Sequence, residues 1–476
     1  MSKINILWFR NDLRLHDNLA LFQASRDQSQ VVPVYVIDPR QFGQTSFGLQ
    51  RTGPFRVRFL LEALEDLRAS LRSRGSDLII RTGKPEEVLP KLAVEQGASG
   101  VFFSREFASE ELEVEAALAK SLESTPVELI GVCNAALFHP EDLPFAISQT
   151  ADVFSQFRKK VEKYGRVREV VPTPKALSMP EGIDPGHLPT PKELGAEPVA
   201  ISDKGVLPFK GGEAAALQRL EAYCGFSGPL DTYKETRNGL LGANYSSKFS
   251  PWLAQGSISP RQIYWQVKAY EEEVVANKST YWLIFELLWR DYFRYWGARH
   301  GNQIFQVEGI SGNTYRESHF AEEHFQKWAA GETGVPFIDA NMRELNATGF
   351  MSNRGRQNVA SFLVHDLKVN WLKGAEYFES MLLDYDVYSN YGNWAYVAGV
   401  GADPRPDRYF NILRQAERYD EHGEFVKHWL PELADVPGRL VHKVFDLTHR
   451  ERATYGVSDY PPALLIPRAW KKLLHA

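Results

Sequence analysis

Aromatic and polar side chains alternate along residues 349–411 in a pattern that an ordinary hydrophobic core does not need. The aromatic residues toward the end of this stretch are Trp371, Tyr377, Phe378, Tyr385, Tyr388, Tyr391, Trp394 and Tyr396. Between them stand Asp384, Asp386 and Asn390. Buried polar groups need partners, and an unpaired buried charge is costly. The pattern therefore indicates either a site for a large flat ligand with polar edges or an aromatic core capped by two carboxylates.

The spacing of three of these residues predicts that they share one helix face. Asp386, Asn390 and Trp394 follow an i, i+4, i+8 line. Gly392 weakens the prediction, because glycine favours the end of a helix. Earlier in the stretch, apolar residues from Val359 to Leu367 recur at helical spacing and predict one core helix.

A second stretch, residues 245–251 (YSSKFSP), has the groups that bind a pyrophosphate. Ser246, Ser247 and Ser250 offer hydroxyls and backbone N–H groups, and Lys248 offers a positive charge. Just downstream, Ser259 followed by Pro260 predicts a helix N-terminus. Amides and hydroxyls at helix starts bind phosphate groups. A serine-rich loop with ordinary caps is the alternative.

A third stretch, residues 281–296 (YWLIFELLWRDYFRYW), predicts an apolar helix that carries a carboxylate. Glu286 lies three residues before Trp289 and four before Arg290, so the three cluster on one side. A carboxylate beside a tryptophan face would line a pocket for a flat substrate, since bases stack on tryptophan. A buried helix with a Glu–Arg ion pair is the alternative.

The segment SNRGRQ (352–357) offers a further polar cluster. Asn353 and Gln357 are suited to hydrogen-bond the edge of a base or a flavin. Arg354 and Arg356 are suited to pair with phosphate or with the two aspartates. Arg405 and Arg408 would extend a basic rim. Solvated surface charge is the alternative for all four arginines.

Composition excludes several classes of protein. The chain has 476 residues with 43% hydrophobic and 24% charged, which is typical of a globular protein with two or more domains. No apolar run has the length of a membrane span, and the N-terminus does not resemble a targeting peptide, so a cytoplasmic protein is expected, or an organellar or nuclear one that has lost its targeting segment. Two cysteines exclude a disulfide framework, and the histidines are not clustered, so no metal site is predicted. The net charge of -5 restricts any nucleic-acid binding to a local patch.

The order of elements predicts a three-part organisation. Residues 1–133 alternate strands (4–9, 31–37, 78–81, 100–104 and 127–132) with helices (56–74 and 85–96), which is typical of a doubly wound parallel α/β sheet domain. The turn after the first strand, WFRNDLRLHDN, is charged and lacks the glycines of a dinucleotide site. Residues 134–205 are rich in proline and predict a linker with one helix near 151–164. Residues 206–476 predict an all-helical domain.

Taken together, four segments resemble the photolyase/cryptochrome family over nearly the whole chain. They are WFRNDLRLHDN, NYSSKFSPWL, FELLWRDYFR, and TGFMSNRGRQNVASF with DYDVYSNYGNWAY. YKETRNGLLGANYSSKFSPW and NMRELNATGFMSNRGRQNVASF are most similar to DASH cryptochromes. The resemblance implies an N-terminal antenna domain, a long linker and a helical domain that binds FAD.

The resemblance also implies roles for single residues around the FAD. The FAD phosphates and ribose would be held by Tyr233, Ser246, Ser247, Lys248, Phe249 and Ser250. The isoalloxazine would be surrounded by Arg290, Asn353, Asp384, Asp386 and Asn390, with Arg356 paired to Asp384. Asn390 falls at the position that faces flavin N5. Photolyase-like members have asparagine there.

For catalysis the resemblance implies light-driven splitting of cyclobutane pyrimidine dimers. Glu286 and Trp289 match the helix that contacts the dimer. Tyr396 and Gln357 stand where duplex-acting enzymes have Trp and Met, so the pocket recovers less of the cost of flipping a dimer out of a duplex. A preference for single-stranded DNA is therefore expected. A serine at position 352, where a histidine pair is found in (6-4) photolyases, disfavours (6-4) repair.

Two implications of the resemblance concern light harvesting and electron supply. Trp394 and Trp371 match the first two members of the tryptophan chain that reduces the flavin, but Ser318 aligns with the third, and Tyr315 or Trp328 would have to substitute. Glu106 resembles the carboxylate that binds a 5,10-methenyltetrahydrofolate antenna.

A monomer is expected. A non-catalytic blue-light photoreceptor or regulator that binds nucleic acid stays open as the alternative function.

Overall fold

A five-stranded parallel sheet lies in the N-terminal part of the chain. The computed structural model describes residues 3–312, 317–402 and 409–474. The strands have the order β3-β2-β1-β4-β5 and the bounds β1 (Ile4–Phe9), β2 (Gln30–Ile37), β3 (Ile79–Thr82), β4 (Gly100–Ser104) and β5 (Glu128–Val132). Each lies within one residue of its predicted bounds. The predicted doubly wound α/β domain is confirmed.

Helices cover both faces of the sheet because each strand is apolar on both sides. They are α1 (Leu19–Ala24), α2 (Pro54–Arg72), α3 (Pro85–Glu95) and α4 (Ser109–Leu122). In β1, Leu7 and Phe9 point to the core shared with α1 and α2. Ile6 and Trp8 point to the opposite core, beneath α3 and α4.

Residues 134–205 connect the sheet to the helical part mainly through irregular backbone. One helix, α5 (Phe154–Tyr164), interrupts this connection. Its inner face is apolar, and Phe154 and Phe157 pack against the helical core. Elsewhere the connection runs beside the sheet, where Val31 and Ile80 donate backbone hydrogen bonds to Ser178 and Pro185 at 2.7 and 2.8 Å.

The remainder of the chain is helical, as predicted. Its helices are α6 (Glu213–Cys224), α7 (Tyr233–Thr236), α8 (Ser250–Gln255), α9 (Pro260–Glu273), α10 (Lys278–His300), α11 (Ala321–Ala330), α12 (Pro336–Thr348), α13 (Asn353–Ser361), α14 (Trp371–Met381), α15 (Val387–Ala398), α16 (Ile412–Tyr419), α17 (Glu424–Trp429), α18 (Gly438–Val441), α19 (His449–Thr454) and α20 (Lys471–Leu474). Ser259 caps α9 as predicted, accepting from the N–H of Arg261. No described helix is long and apolar enough to cross a bilayer.

Two local features differ from the sequence predictions. The single core helix expected over residues 359–367 is α13 followed by a π-helical turn, Phe362–Asp366. Gly392 does not end its helix; α15 continues to Gly399, which has φ of +73°. A Cβ at position 392 would lie 2.3 Å from the ring of Phe293, so close helix packing requires this glycine.

Candidate functional site

Helix α15 places Asp386, Asn390 and Trp394 on one face, as their spacing predicts. Asp386 is the N-cap and accepts a hydrogen bond from the N–H of Ser389 at 2.9 Å. Asn390 is buried, and its amide donates to the carbonyl of Ala375 at 2.9 Å. Trp394 is buried one turn further along. The helix therefore presents a carboxylate, an amide and an indole in sequence along one line.

Arg356 and Asp384 form the ion pair that the resemblance implies. The guanidinium of Arg356 lies 2.8 Å from one carboxylate oxygen of Asp384 and also donates to the carbonyl of Met351. The other oxygen of Asp384 is buried and has no partner within the described chain. One carboxylate is thus fixed in position with an acceptor atom free to bind a ligand.

The serine-rich loop is held from behind by an arginine. Arg219 donates to the carbonyls of Ser246 and Ser247 at 3.0 and 2.9 Å. Lys248 has a left-handed backbone with φ of +56°, and its buried Nζ lies 3.2 Å from the ring centroid of Tyr245. Burial, together with the nearby Arg219, lowers the pKa of Lys248 to about 6. Phe249 is buried beside this loop.

The fit of these residues to a bound flavin dinucleotide is tested by the buried polar atoms that have no hydrogen-bond partner among the described residues. They include Tyr245 Oη, Lys248 Nζ, both carboxylate oxygens of Glu344, and Asp384 Oδ1. These residues form one group, because Lys248 and Arg356 both lower the pKa of Glu344, and Arg356 is paired with Asp384. Even so, burial raises the pKa of Glu344 to about 8. Buried polar atoms in this number require partners, and the anionic diphosphate and polar ring edges of FAD would supply them.

Glu344 and Tyr245 are members of this group that the sequence interpretation missed. A signal for Glu344 was present, since α12 is mostly buried and three of its buried side chains are polar, Asp339, Asn341 and Glu344. Asp339 is satisfied by Thr333, Gly334 and Tyr460. Glu344 has no such partners among the described residues. A charged residue on a buried helix indicates a site when no neighbouring motif explains it.

Among the predicted isoalloxazine residues, Arg290 and Asn353 are placed less clearly. Arg290 donates to two backbone carbonyls, those of Ala135 and, at 3.2 Å, Leu253. Asn353 begins α13 with an exposed side chain. Asp386 is instead paired with Arg294, at 3.3 Å, a residue that the sequence interpretation missed. The roles of Arg290, Asn353 and Asp386 toward the flavin stay predictions. Tyr233, predicted to hold the FAD phosphates and ribose, is buried on α7 as a neighbour of Tyr223.

The residues predicted to contact a dimer meet at the side of α10. Trp289 lies edge-to-face with Tyr396, with ring centroids 6.4 Å apart and an interplanar angle of 84°. Its ring also stacks on Phe154 of α5 at 3.7 Å. Glu286 pairs with Arg237 at 2.9 Å, not with Arg290, and 28% of its side chain is exposed. Burial raises the pKa of Glu286, and Arg237 opposes that shift.

The polar rim next to this group is only partly described. Gln357 accepts a hydrogen bond from Arg354 at 2.9 Å. Arg354 also donates to Asn238 at 2.9 Å, so it pairs with amides and not with Asp384 or Asp386. The other predicted members of the rim, Arg405 and Arg408, lie outside the described residues.

The predicted electron-transfer residues lie in one aromatic cluster. Trp394 packs edge-to-face against Phe378 at 5.1 Å and against Trp328 at 6.3 Å. It also contacts Gly374, one turn along α14 from Trp371. Trp371 is buried and donates its indole N–H to the carbonyl of Val307 at 2.9 Å. Ser318 is half-buried, and Tyr315 lies outside the described residues.

The carboxylate predicted to bind an antenna is used inside the protein. Glu106 is buried, and its carboxylate is 2.5 Å from Arg294. Tyr388 donates to it at 3.5 Å. This network joins the end of β4 to α10 and α15. Binding of a folate by Glu106 stays a prediction, and its side chain already has two partners.

The charged turn after β1 joins the sheet to the helical domain. Asp17 is fully buried and accepts from Arg261 at 2.7 and 2.9 Å. Glu213 accepts from the N–H groups of Leu15 and His16 and pairs with the His16 ring at 3.2 Å. The turn is thus a clamp between domains. Among the described residues, no group of His, Cys, Asp and Glu side chains is arranged to hold a metal ion.

Comparison with known proteins agrees with this geometry. Residues 5–177 match the family described as DNA photolyase, and residues 282–469 match the FAD binding domain of DNA photolyase. The chain belongs to the photolyase/cryptochrome family, and its fold is that of the family's solved structures.

Within the family, the chain is similar to proteins named cryptochrome DASH. One from Gloeobacter violaceus is 50% identical over 97% of this chain and 92% of that protein. One from Danio rerio is 46% identical over 99% of this chain and 92% of its own length. The crystal structure of a Synechocystis cryptochrome has a TM-score of 0.95 at 45% identity and covers 100% of this chain and 99% of that one. A class III photolyase from Agrobacterium tumefaciens has a TM-score of 0.86 at 28% identity, with 100% and 97% covered.

Proposed function

We propose that this protein is a light-driven, FAD-dependent lyase that splits cyclobutane pyrimidine dimers, chiefly in single-stranded DNA. The observation that supports the proposal best is the meeting of Trp289 and Tyr396 beside Glu286 on α10. A flat apolar surface next to a partly buried carboxyl group suits a pair of fused pyrimidines, which have two ring faces and polar edges.

The FAD site supports the same reaction. The serine-rich loop with Lys248 would hold the diphosphate, and the Arg356–Asp384 pair would fix the ring edges. The reduced flavin supplies the light-excited electron when it is bound. Asn390, anchored through its amide to Ala375, would keep a fixed orientation toward the flavin.

The chain's own groups would stabilise the dimer after it accepts the electron. Glu286, with 28% of its side chain exposed, would hydrogen-bond the dimer and stabilise the negative charge that it gains. Burial raises the pKa of this carboxyl group, the direction that favours the hydrogen-bond-donating form. Arg237, at 2.9 Å, would hold that carboxyl group in place. Once the ring has split and the electron has returned to the flavin, neither side chain has changed chemically.

The preference for single strands follows from the stacking surface. Flipping a dimer out of a duplex costs a few kcal/mol, and a single strand avoids most of that cost. Tyr396 offers a smaller ring than the tryptophan of duplex-acting enzymes, and Gln357 is polar and hydrogen-bonded to Arg354. Less of the flipping energy is therefore recovered.

Blue-light repair of a defined thymine dimer tests the proposal directly. Single-stranded and duplex substrates are compared side by side, with a dark control and with FAD reduced chemically beforehand. Repair of the single strand with weak repair of the duplex is expected. Efficient repair of both would remove the strand preference, and repair of neither would favour the blue-light photoreceptor, for which Ser318 at the end of the tryptophan chain is the motivating observation.

Three further assignments belong to this proposal. A protein that repairs DNA is expected in a compartment that holds DNA, which is the cytoplasm, or an organelle or the nucleus if a targeting segment has been removed. The relative from Arabidopsis thaliana carries the name chloroplastic/mitochondrial. We also propose that the protein acts as a monomer. A folate antenna is tested by the absorbance of the purified protein before and after FAD removal.

A further inference from the structure

Tyr391 lies between a predicted electron-transfer tryptophan and a carboxylate. Its ring centroid is 6.4 Å from that of Trp371, with the planes at 76°. Its hydroxyl donates to a carboxylate oxygen of Glu379 at 3.3 Å. Tyr391 follows Asn390 directly on α15, and it is 7% exposed. The indole of Trp371, the oxidisable phenol of Tyr391 and the carboxylate of Glu379 thus lie one after another.

Glu379 is connected to the surface through an ion-pair chain. It is buried on α14 and lies 3.2 Å from Arg51. Arg51 in turn pairs at 2.8 Å with Glu110, whose side chain is 66% exposed. The other charged group near Tyr391 is Glu376, whose carboxylate accepts hydrogen bonds from Ser46 and the N–H of Phe47. Glu379 alone among these groups accepts directly from the phenol.

We infer that Tyr391 is the terminal electron donor of the Trp394–Trp371 chain and that Glu379 accepts its phenolic proton. The inference rests on the proposed flavin photochemistry, in which Trp394 would give one electron to a bound, light-excited oxidised flavin. Trp371 refills Trp394, and Tyr391 refills Trp371. The phenol loses one electron to the indole radical cation and one proton to the carboxylate. A neutral tyrosyl radical and a neutral Glu379 carboxyl group remain, so charge and protons balance.

This assignment gives the Trp394–Trp371 electron-transfer chain a terminal donor, a role that Ser318 cannot fill. An aliphatic hydroxyl is not oxidised by an indole radical cation, whereas a phenol is once its proton leaves with the electron. Burial raises the pKa of Tyr391, so the resting side chain keeps its proton until it is oxidised. Loss of that proton to Glu379 makes return of the electron slower, since the proton must return as well.

A second aromatic branch reaches Trp394, but among the described residues its phenol has no carboxylate partner. Trp328 lies 6.3 Å from Trp394, and Tyr377 lies 5.6 Å from Trp328. The Tyr377 hydroxyl donates to two amide oxygens, the side chain of Asn346 at 2.7 Å and the carbonyl of Ala329 at 3.1 Å. Amide oxygens do not accept a proton at neutral pH. Tyr377 is therefore the matched control for Tyr391.

The test is electron paramagnetic resonance of the radical that blue light forms in protein loaded with oxidised FAD. Wild-type protein grown with ring-deuterated tyrosine should show a narrowed signal, which identifies a tyrosyl radical without any mutation. Tyr391→Phe should lose that signal and slow flavin photoreduction about tenfold. Tyr377→Phe should keep both. Glu379→Gln keeps a hydrogen-bond acceptor without the base and should lower the radical yield.

FAD content and melting temperature are measured for each variant, so a folding defect is recognised. The inference is overturned if deuterated tyrosine leaves the wild-type signal unchanged, if Tyr391→Phe keeps the tyrosyl signal, or if Tyr377→Phe loses it. Dimer repair by wild-type protein with chemically reduced FAD needs no photoreduction. Its failure would count against the proposed function and would leave the radical measurement as a separate result.

Discussion

Arg237 and Glu286 form an ion pair of 2.9 Å between α7 and α10, beside the ring of Trp289. The partner of Glu286 is therefore 49 positions earlier in the chain, not four positions later, at Arg290. The pair leaves 28% of the carboxylate side chain exposed, so it is held in place and still accessible to a substrate. Removing one partner of this pair should therefore affect the rate of dimer splitting and the affinity for DNA to different extents.

Replacing Glu286 should slow dimer splitting more than it weakens DNA binding. Removing one preorganised group that stabilises developing charge costs about 10²–10³ in rate, so Glu286→Ala should lose about that factor in repair per photon absorbed. Glu286→Gln keeps a donor and should lose less. Repair yield and DNA affinity are measured together. Full repair by Glu286→Ala would contradict the role given to this carboxyl group.

The stacking surface predicts a change of substrate preference. Tyr396→Trp enlarges the ring that meets Trp289, and stacking on an aromatic side chain contributes ~1–3 kcal/mol per base. We expect repair of duplex DNA to rise by about tenfold relative to single-stranded DNA. The ratio of the two repair rates is the measurement. An unchanged ratio would mean that the strand preference arises elsewhere. Tyr164→Trp, at an exposed position at the end of α5, is a control for a general effect of an added indole.

The sequence predicted the elements well because their patterns are local. Short runs of apolar residues place β1 and β4 correctly, and the spacing of Asp386, Asn390 and Trp394 predicts α15. The π-helical turn after α13 was not predictable, because apolar spacing of 3.6 residues does not report a change of hydrogen-bond register.

The partners of the charged site residues were less predictable for a physical reason. A spacing of four residues on a helix permits an ion pair, but tertiary packing decides whether one forms. Arg290 is drawn to the carbonyls of Ala135 and Leu253, and Glu286 binds Arg237. Arg356 and Asp384 were paired correctly only through the resemblance to the family. Glu344 was missed because no local motif surrounds it.

Breaking the clamp between the domains should destabilise the protein strongly. Asp17 and Arg261 are buried together with bonds of 2.7 and 2.9 Å, and removing one partner of such a pair costs ~3–5 kcal/mol. Arg261→Ala should therefore lower the free energy of unfolding by about that amount, measured by denaturant titration. Adding Asp17→Asn to it should cost less than the sum of the two single changes. Additive losses would show that the two residues are not coupled.

The same clamp predicts a pH dependence. The hydrogen bond to Glu213 raises the pKa of His16 above its ordinary value of 6.5. Its contribution to stability is full below pH 6.5 and is lost as the pH rises through the raised pKa. Burial alone would raise the pKa of Glu213, but the bonds from His16 and Leu15 hold it below its ordinary value of 4.5, so this contribution is lost on acidification. The difference in melting temperature between wild type and His16→Gln should shrink above neutral pH. A constant difference would contradict the pairing.

Lys248 predicts that FAD binding takes up a proton. In the free protein burial lowers its pKa to about 6, so at pH 7.5 the side chain is mostly neutral. A diphosphate beside it would restore the charge, and Glu344, with its pKa raised to about 8, would keep its proton and avoid repelling the phosphates. Protonation of Lys248 and protonation of Glu344 both favour binding of the diphosphate, so FAD affinity should fall as the pH rises from 6 to 9.

Calorimetric titration in two buffers of different ionisation enthalpy measures that proton uptake. Lys248→Met should weaken FAD binding about ten- to a hundredfold, the usual value of a hydrogen bond between charged groups, and should abolish most of the pH dependence below pH 8. Lys210→Met, at an exposed position, is the control and should bind as the wild type does. Affinity that does not change with pH would mean that Lys248 stays charged in the free protein, because only a neutral lysine needs a proton to bind the diphosphate.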